Sequence, residues 1–379
     1  MDMNIGKGLA GVTAADTAVS RVDGDNGILI FRGYNVWNLG GQASYEEVVY
    51  LLWHGELPTQ TQLDSFKSDL AARRALPPEV LAALQSFPRQ AHPMAVLRTA
   101  VSWLGMADPT ADDLSSAAAW EKAMMLTAVF PTIVAAWERI RQGKSPIAPR
   151  PDLGHAANFL YMLDGQWQNP DAVQALDAYL VLLADHDFNA STFACRVTTG
   201  TLPDIYSVIT TGIGTLKGIS HGGANQKAME QFLEAAVAGD VTAWYRQKRA
   251  AGQRIMGIGH REYKVEDPRA RVFRPMAERL AASSGQGQWY EIASQIEQLT
   301  RQDDYFVQRR LFVNVDYYSA VALYMIGLPV DQFTAVFAIS RIAGWLAHVL
   351  EQLADNRLIR PKANYVGPAP RPFVPLAER

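Results

Sequence analysis

The run Met124-Met125-Leu126-Thr127-Ala128-Val129-Phe130-Pro131-Thr132-Ile133-Val134-Ala135-Ala136-Trp137 is apolar nearly all the way round the helix it predicts. A helix with no polar face must be enclosed by other helices, so this stretch points to a large α-domain. Sets spaced by three and four lie on either side of it. They are Leu63, Phe66 and Leu70; Met94, Leu97, Val101 and Leu104; Leu176, Tyr179, Leu180 and Leu183; and Ile205, Val208, Ile209 and Ile213. Each set falls on one helical face. Ser44 and Glu47 read as a capping box that opens a helix bearing Val48, Leu51 and Leu52, and Pro58 is expected to close it. Pro77-Pro78, Pro88 and Pro93 mark breaks between helices. Only near the N-terminus does the text suit β structure. There Thr17–Val22 and Ile28–Gly33 flank the turn-rich Asp23-Gly24-Asp25-Asn26-Gly27, which predicts a hairpin. The fold class is mainly α with a small N-terminal β-hairpin.

A chain of 379 residues is long enough for two domains. With 49% hydrophobic and 19% charged residues it is not a disordered chain. A net charge of −3 gives no global pull toward nucleic acid or an anionic membrane, so an anionic substrate needs a local basic cluster. The single cysteine, Cys195, excludes an intrachain disulfide. The opening MDMNIGKGLAG lacks a signal-peptide layout. The longest apolar run is read at Ala320 to Val330, broken by Gly327 and Pro329, and is too short to cross a bilayer. The expected location is the cytoplasm. No βαβ alternation appears, and Gly212-Ile213-Gly214 fails the dinucleotide fingerprint because Lys217 holds its third glycine position.

Seven histidines can be weighed singly. His54, His92, His155 and His348 are read as capping or satisfied core residues. The other three stand in less ordinary text: His186 in Asp185-His186-Asp187-Phe188-Asn189, His221 before Gly222-Gly223-Ala224-Asn225, and His260 after Met256-Gly257-Ile258-Gly259. Glycines beside a histidine let backbone approach a ligand and leave the imidazole unhindered. Asp316 is expected at the start of an apolar helix, and Arg341 lies in apolar text where a charge needs a partner. Arg269, Arg341 and Arg360 offer planar donors that grip carboxylates, although Arg269 or Arg360 alone would be read as a structural ion pair. Histidines for carbonyl oxygens, one carboxylate base and several arginines suit proton abstraction beside a carbonyl, then attack on a dicarboxylate ketone. No HExxH and no GxSxG occurs, which argues against a metallohydrolase or a serine hydrolase.

At these residues the chain resembles the citrate synthase family. The family's K-G-P-L-H-G-G-A-N is matched by Lys217-Gly218-Ile219-Ser220-His221-Gly222-Gly223-Ala224-Asn225. Its G-F-G-H-R-V-Y-K and D-P-R-A are matched by Gly257-Ile258-Gly259-His260-Arg261-Glu262-Tyr263-Lys264 and Asp267-Pro268-Arg269-Ala270. Its P-N-V-D-F-Y-S is matched from Asn314 through Asp316 to Ser319, with Val313 in place of the proline. The likeness runs from Gly8 to Gly367.

That resemblance implies roles. Asp316 would take a methyl proton from acetyl-CoA, and His221 would donate a hydrogen bond to the thioester oxygen. His260 would polarise the oxaloacetate carbonyl. His186 would orient that substrate, Arg269 and Arg341 would hold its carboxylates, and Arg360 would reach in from a neighbouring subunit. Ile255, Met256, Gly257, Ile258 and Gly259 would form an adenine loop of the CoA site, with Lys264 on a CoA phosphate. Residues 1–221 and 331–379 would form a large helical domain, and 222–330 a small one closing over the site. A homodimer with shared active sites, or a larger homo-oligomer, is implied, with no metal and no cofactor beyond the thioester substrate. A helix N-terminus favours an ionised Asp316, whereas burial would raise its pKa. Departures from the pattern are Ile219-Ser220 for Pro-Leu, Asp187 for Glu, and Glu262 for Val. Glu262 would weaken CoA binding or pair with Arg261.

A near rival is 2-methylcitrate synthase, which uses propionyl-CoA. Residues 363–368 and 371–374 resemble that branch too, while His260-Arg261 and Lys264 favour the citrate-forming one. A rival of another class is a catalytically silent helical assembly protein. The presence of Asp316 and the histidines argues against it.

Overall fold

The computed structural model describes residues 7–9, 11–166 and 169–379, so most of the N-terminal stretch read for a signal peptide lies outside it. Among the described residues there are seventeen α-helices and one three-stranded sheet. The predicted buried helix runs Ser116–Arg141, with Pro131 in its interior. It packs on Phe333–Ala354, which also meets Tyr45–His54, Pro170–Leu183 and Ala190–Thr199. These two long helices are apolar enough to span a bilayer by length and composition, yet their apolar windows are 89% and 94% buried inside the fold. They are therefore core helices. They also correct the sequence reading, in which Ala320 to Val330 was the longest apolar run.

The four predicted apolar faces are buried as sets in Gln60–Ala72, Pro93–Ala107, Pro170–Leu183 and Ile205–Leu216. Ser44 and Glu47 form the full capping box at the head of Tyr45–His54. That helix ends four residues before Pro58, because Gly55 adopts φ +89° and its N–H closes on the Leu51 carbonyl.

The hairpin is formed by β1 (Ser20–Asp23) and β2 (Ile28–Phe31), antiparallel, with Ser20 opposite Phe31. A short third strand, β3 (Tyr34–Asn35), pairs with β2, so the sheet is one strand larger than predicted. The hairpin tip lies against a distant loop. A Cβ on Gly24 would sit 2.2 Å from the Glu262 carbonyl oxygen, and the Lys264 N–H donates to the Gly24 carbonyl at 2.9 Å.

Between residues 222 and 330, helices Ala224–Ala238, Pro268–Ser284, Gln288–Gln302 and Val315–Met325 pack on one another. Pro268–Ser284 also packs on Pro170–Leu183, and Ala224–Ala238 touches Phe333–Ala354.

Candidate active site

His186 sits in the loop between Pro170–Leu183 and Ala190–Thr199. That loop lies so close to Phe333–Ala354 that a Cβ on Gly344 would come 2.4 Å from the Ala184 carbonyl oxygen. The His186 ring is 5.4 Å from the His260 ring, and its Nε2 meets the Tyr263 hydroxyl at 3.1 Å. Burial, then the nearby Arg269, hold its pKa well below the usual imidazole value.

His260 ends the glycine loop. Its Nδ1 accepts the N–H groups of Glu262 and Tyr263 at 3.1 and 3.3 Å, which leaves the ring proton on Nε2. Burial lowers its pKa to about 4, so at neutral pH it is a neutral donor. The loop before it is fixed on two sides. Gln231 holds both the N–H and the carbonyl of Met256 at 2.8 Å, while the Gly257 carbonyl accepts from Asn314 N–H at 2.9 Å. Asn314 Nδ2 donates to the Gly259 carbonyl at 2.9 Å, and Ile258 bridges Val313. Gly257 and Gly259 both take positive φ, and a Cβ on Gly257 would meet Tyr317 at 2.8 Å.

His221 precedes Ala224–Ala238. Its Nε2 faces the Ser191 N–H at 3.3 Å and the Ser191 hydroxyl at 2.8 Å. A backbone donor makes Nε2 the acceptor and puts the proton on Nδ1. The Ser191 hydroxyl is fixed by Trp345 Nε1 and Asn189. Burial again lowers the pKa, to about 4.

Asp316 lies in the first turn of Val315–Met325, capped by Asn314. Burial raises its pKa to about 6 against the lowering pull of Arg269. Asn225 donates to the Asp316 backbone carbonyl at 3.3 Å and to Ser319 at 2.7 Å.

Arg269 and Arg341 are both buried. Arg269 forms a two-point ion pair with Asp267 at 2.9 and 3.0 Å, so the structural reading of this arginine holds in part. Its field still reaches Asp316, His186 and His260. Arg341 donates from Nε to the Leu183 carbonyl at 2.8 Å, and its Nη1 has no protein partner. Its charge acts on His221, His186 and Asp316. The structure thus brings His186, His221, His260, Asp316, Arg269 and Arg341 into one electrostatic cluster. Arg360 is exposed on the segment that follows Phe333–Ala354, and among the described residues no hydrogen bond or ion pair ties it to the cluster. Lys264 is exposed, its ammonium on the Arg261 carbonyl. Glu262 and Arg261 are both exposed and, among the described residues, form no ion pair.

Of the four histidines given bland roles, His92 caps Pro93–Ala107 through Nδ1, and His54 stacks on Tyr50 at the end of its helix. His348 is satisfied in the core by Asp185 and Arg196. His155 departs from the expectation: it is buried with neither ring nitrogen partnered. Burial drops its pKa to about 3, so it stays neutral and packs as an aromatic ring 4.9 Å from that of Tyr45. It also lines a cavity of about 630 Å³ with Glu46 and Asp177, apart from every residue named for chemistry. The reading missed Ser191, Gln231, Tyr263, Asn314 and Asp267, whose parts depend on contacts across the chain.

Neutral imidazoles with fixed protons, a carboxylate with a raised pKa and two buried guanidiniums on a helical frame define an enzyme of enolate chemistry on carboxylated substrates. A family model described as "Citrate synthase, C-terminal domain" matches residues 8–362. "Citrate synthase 2" of Bacillus subtilis is 44% identical over 378 residues, covering 100% of both chains. "2-methylcitrate synthase" of Mycobacterium tuberculosis is 41% identical, over 96% of this chain and 91% of that one. A Thermoplasma acidophilum citrate synthase, solved as a ternary complex with carboxymethyl coenzyme A and oxaloacetate, superposes with a TM-score of 0.91. It is 34% identical and covers 98% of this chain and 99% of that one. The chain belongs to the citrate synthase family.

Proposed function

We propose that this chain condenses acetyl-CoA with oxaloacetate and hydrolyses citryl-CoA to citrate and CoA. The observation that carries the reading is Asp316, a carboxylate raised to about pKa 6, placed with two imidazoles that are neutral at pH 7. Asp316 removes a methyl proton from the thioester. His221 Nδ1–H donates to the oxygen on which negative charge develops, and one such donor contributes about 3–4 kcal/mol. The carbon then attacks the oxaloacetate ketone, whose oxygen lies on His260 Nε2–H and receives a proton there. His186, Arg269 and Arg341 hold oxaloacetate, with Arg360 entering from a neighbouring subunit of a homodimer. The unpartnered Nη1 of Arg341 supports a carboxylate in that position.

Residues 255–259 receive the adenine of CoA and Lys264 a phosphate. Residues 222–330 form the small domain, and its closure keeps water out until citryl-CoA is hydrolysed. The reaction uses no metal and no resident cofactor. A chain with one cysteine fits a reducing cytoplasm.

The test follows CoA release with a thiol reagent, using oxaloacetate with acetyl-CoA and then propionyl-CoA. Asp316→Ala serves as the blank. Faster turnover of acetyl-CoA that vanishes in the variant supports the reading. Preference for propionyl-CoA moves the chain to the methylcitrate branch, and no turnover by folded protein leaves the assembly role. One methylene is worth only about 1–3 kcal/mol in a pocket, so measurable turnover of both is expected.

A further inference from the structure

His186 lies between two residues that are pinned to the same distant side chain. The Ser20 hydroxyl donates to Asp185 Oδ2 at 2.5 Å and accepts the Asp187 N–H at 2.9 Å. One proton and two lone pairs allow both bonds at once. Asp187 has φ +53°, a conformation that a non-glycine residue keeps only when its surroundings impose it. Ser20 can impose it because Ser20 is itself buried and fixed by the β1–β2 ladder.

The carboxylate it holds is braced from behind. Asp185 Oδ2 also faces His348 Nε2 at 3.2 Å, and the other ring nitrogen faces Arg196 at 3.2 Å. A guanidinium only donates, so Nδ1 accepts and the His348 proton points at Asp185. Arg196 binds Glu351 at 2.6 Å, and Glu351 returns to Thr17 Oγ1 and the Ala18 N–H at 2.8 and 2.9 Å. The polar chain therefore begins and ends in residues 17–20.

We propose that Ser20 is a positioning residue for oxaloacetate: its hydroxyl bridges both neighbours of His186 and fixes the direction of that imidazole. The inference rests on the assignment of His186 to oxaloacetate made above. The first strand of a sheet that supplies no reacting group then sets the substrate affinity of a site built by helices.

The experiment compares the parent, S20A, H186A and the double variant by steady-state kinetics, with thermal unfolding of each. Loss of two buried hydrogen bonds is expected to raise the oxaloacetate KM about tenfold in S20A. The acetyl-CoA KM should stay within about twofold, and S20A should add nothing in the H186A background. S20T should restore the affinity. An unchanged oxaloacetate KM in S20A, the same tenfold rise on top of H186A, or a parallel rise of both KM values would overturn the proposal. H186A with an unaltered oxaloacetate KM would instead remove the assignment beneath it. If S20A does not fold, S20T against S20V isolates the hydroxyl at constant shape.

Discussion

At the residue scale the decisive quantity is the proton on each reacting group. As the proposed base Asp316 must be ionised, and burial raises its pKa to about 6. We therefore expect kcat/KM for acetyl-CoA to fall tenfold per pH unit below about pH 6, which a pH–rate profile will check. The same shift has a stability sign. The folded state binds this proton more tightly than the unfolded chain, whose carboxyl titrates near 3.8. Ionisation therefore removes stability as pH rises from about 4 to about 6, and the loss stays constant above that. Asp316→Asn should raise Tm at pH 8 and lose that advantage by pH 4. The gain should be on the order of 2 kcal/mol, with the partial exposure of Asp316 discounted. Equal Tm values at pH 8 would contradict this. His260→Ala should cost about 10²–10³-fold in kcat, because its Nε2–H is a preset donor. Single-turnover CoA release measures that loss. The sequence could name these residues because glycine and histidine stood in recognisable strings. It could not assign protons, since Ser191 lies 30 positions from His221 and carries no local sign of the pairing.

At the element scale the legible features were those encoded by neighbours in the chain. The capping box at Ser44 and the apolar faces at spacings of three and four are local, and they appear as read. The end of Tyr45–His54 was misplaced because Gly55 stops the helix before Pro58 is reached. β3 was missed because two residues carry no period to detect. The glycine loop gives a sharper test. Gly257 has φ +75° and faces Tyr317, the residue after Asp316, at 2.8 Å from an added Cβ. Gly257→Ala should therefore destabilise the fold by about 1–3 kcal/mol and raise the acetyl-CoA KM. Unfolding curves with a KM series decide it, and an unchanged KM would separate the loop from CoA.

At the scale of the whole molecule, the enclosure of Ser116–Arg141 followed from its lack of a polar face. Placement of the tail did not follow, because residues 360–379 are all exposed and carry no periodic apolar face that would dock them. If Arg360 completes the partner's site, mixed dimers of Asp316→Ala and Arg360→Ala have one site with both changes and one with neither. Mixing two inactive variants after dissociation should then restore up to about half the parental rate per mixed dimer, in line with a shared interface. Persistent inactivity of verified mixed dimers would place Arg360 in its own subunit's site. The stitching of residues 257–259 to Val313 and Asn314 constrains how this enzyme diversifies. On the roles proposed above, the loop that receives CoA and the carboxylate that takes the proton are one mechanical part. With those roles, a mutation that reshapes the loop also re-aims the base, so a lineage cannot alter its acyl substrate there without altering its catalysis as well.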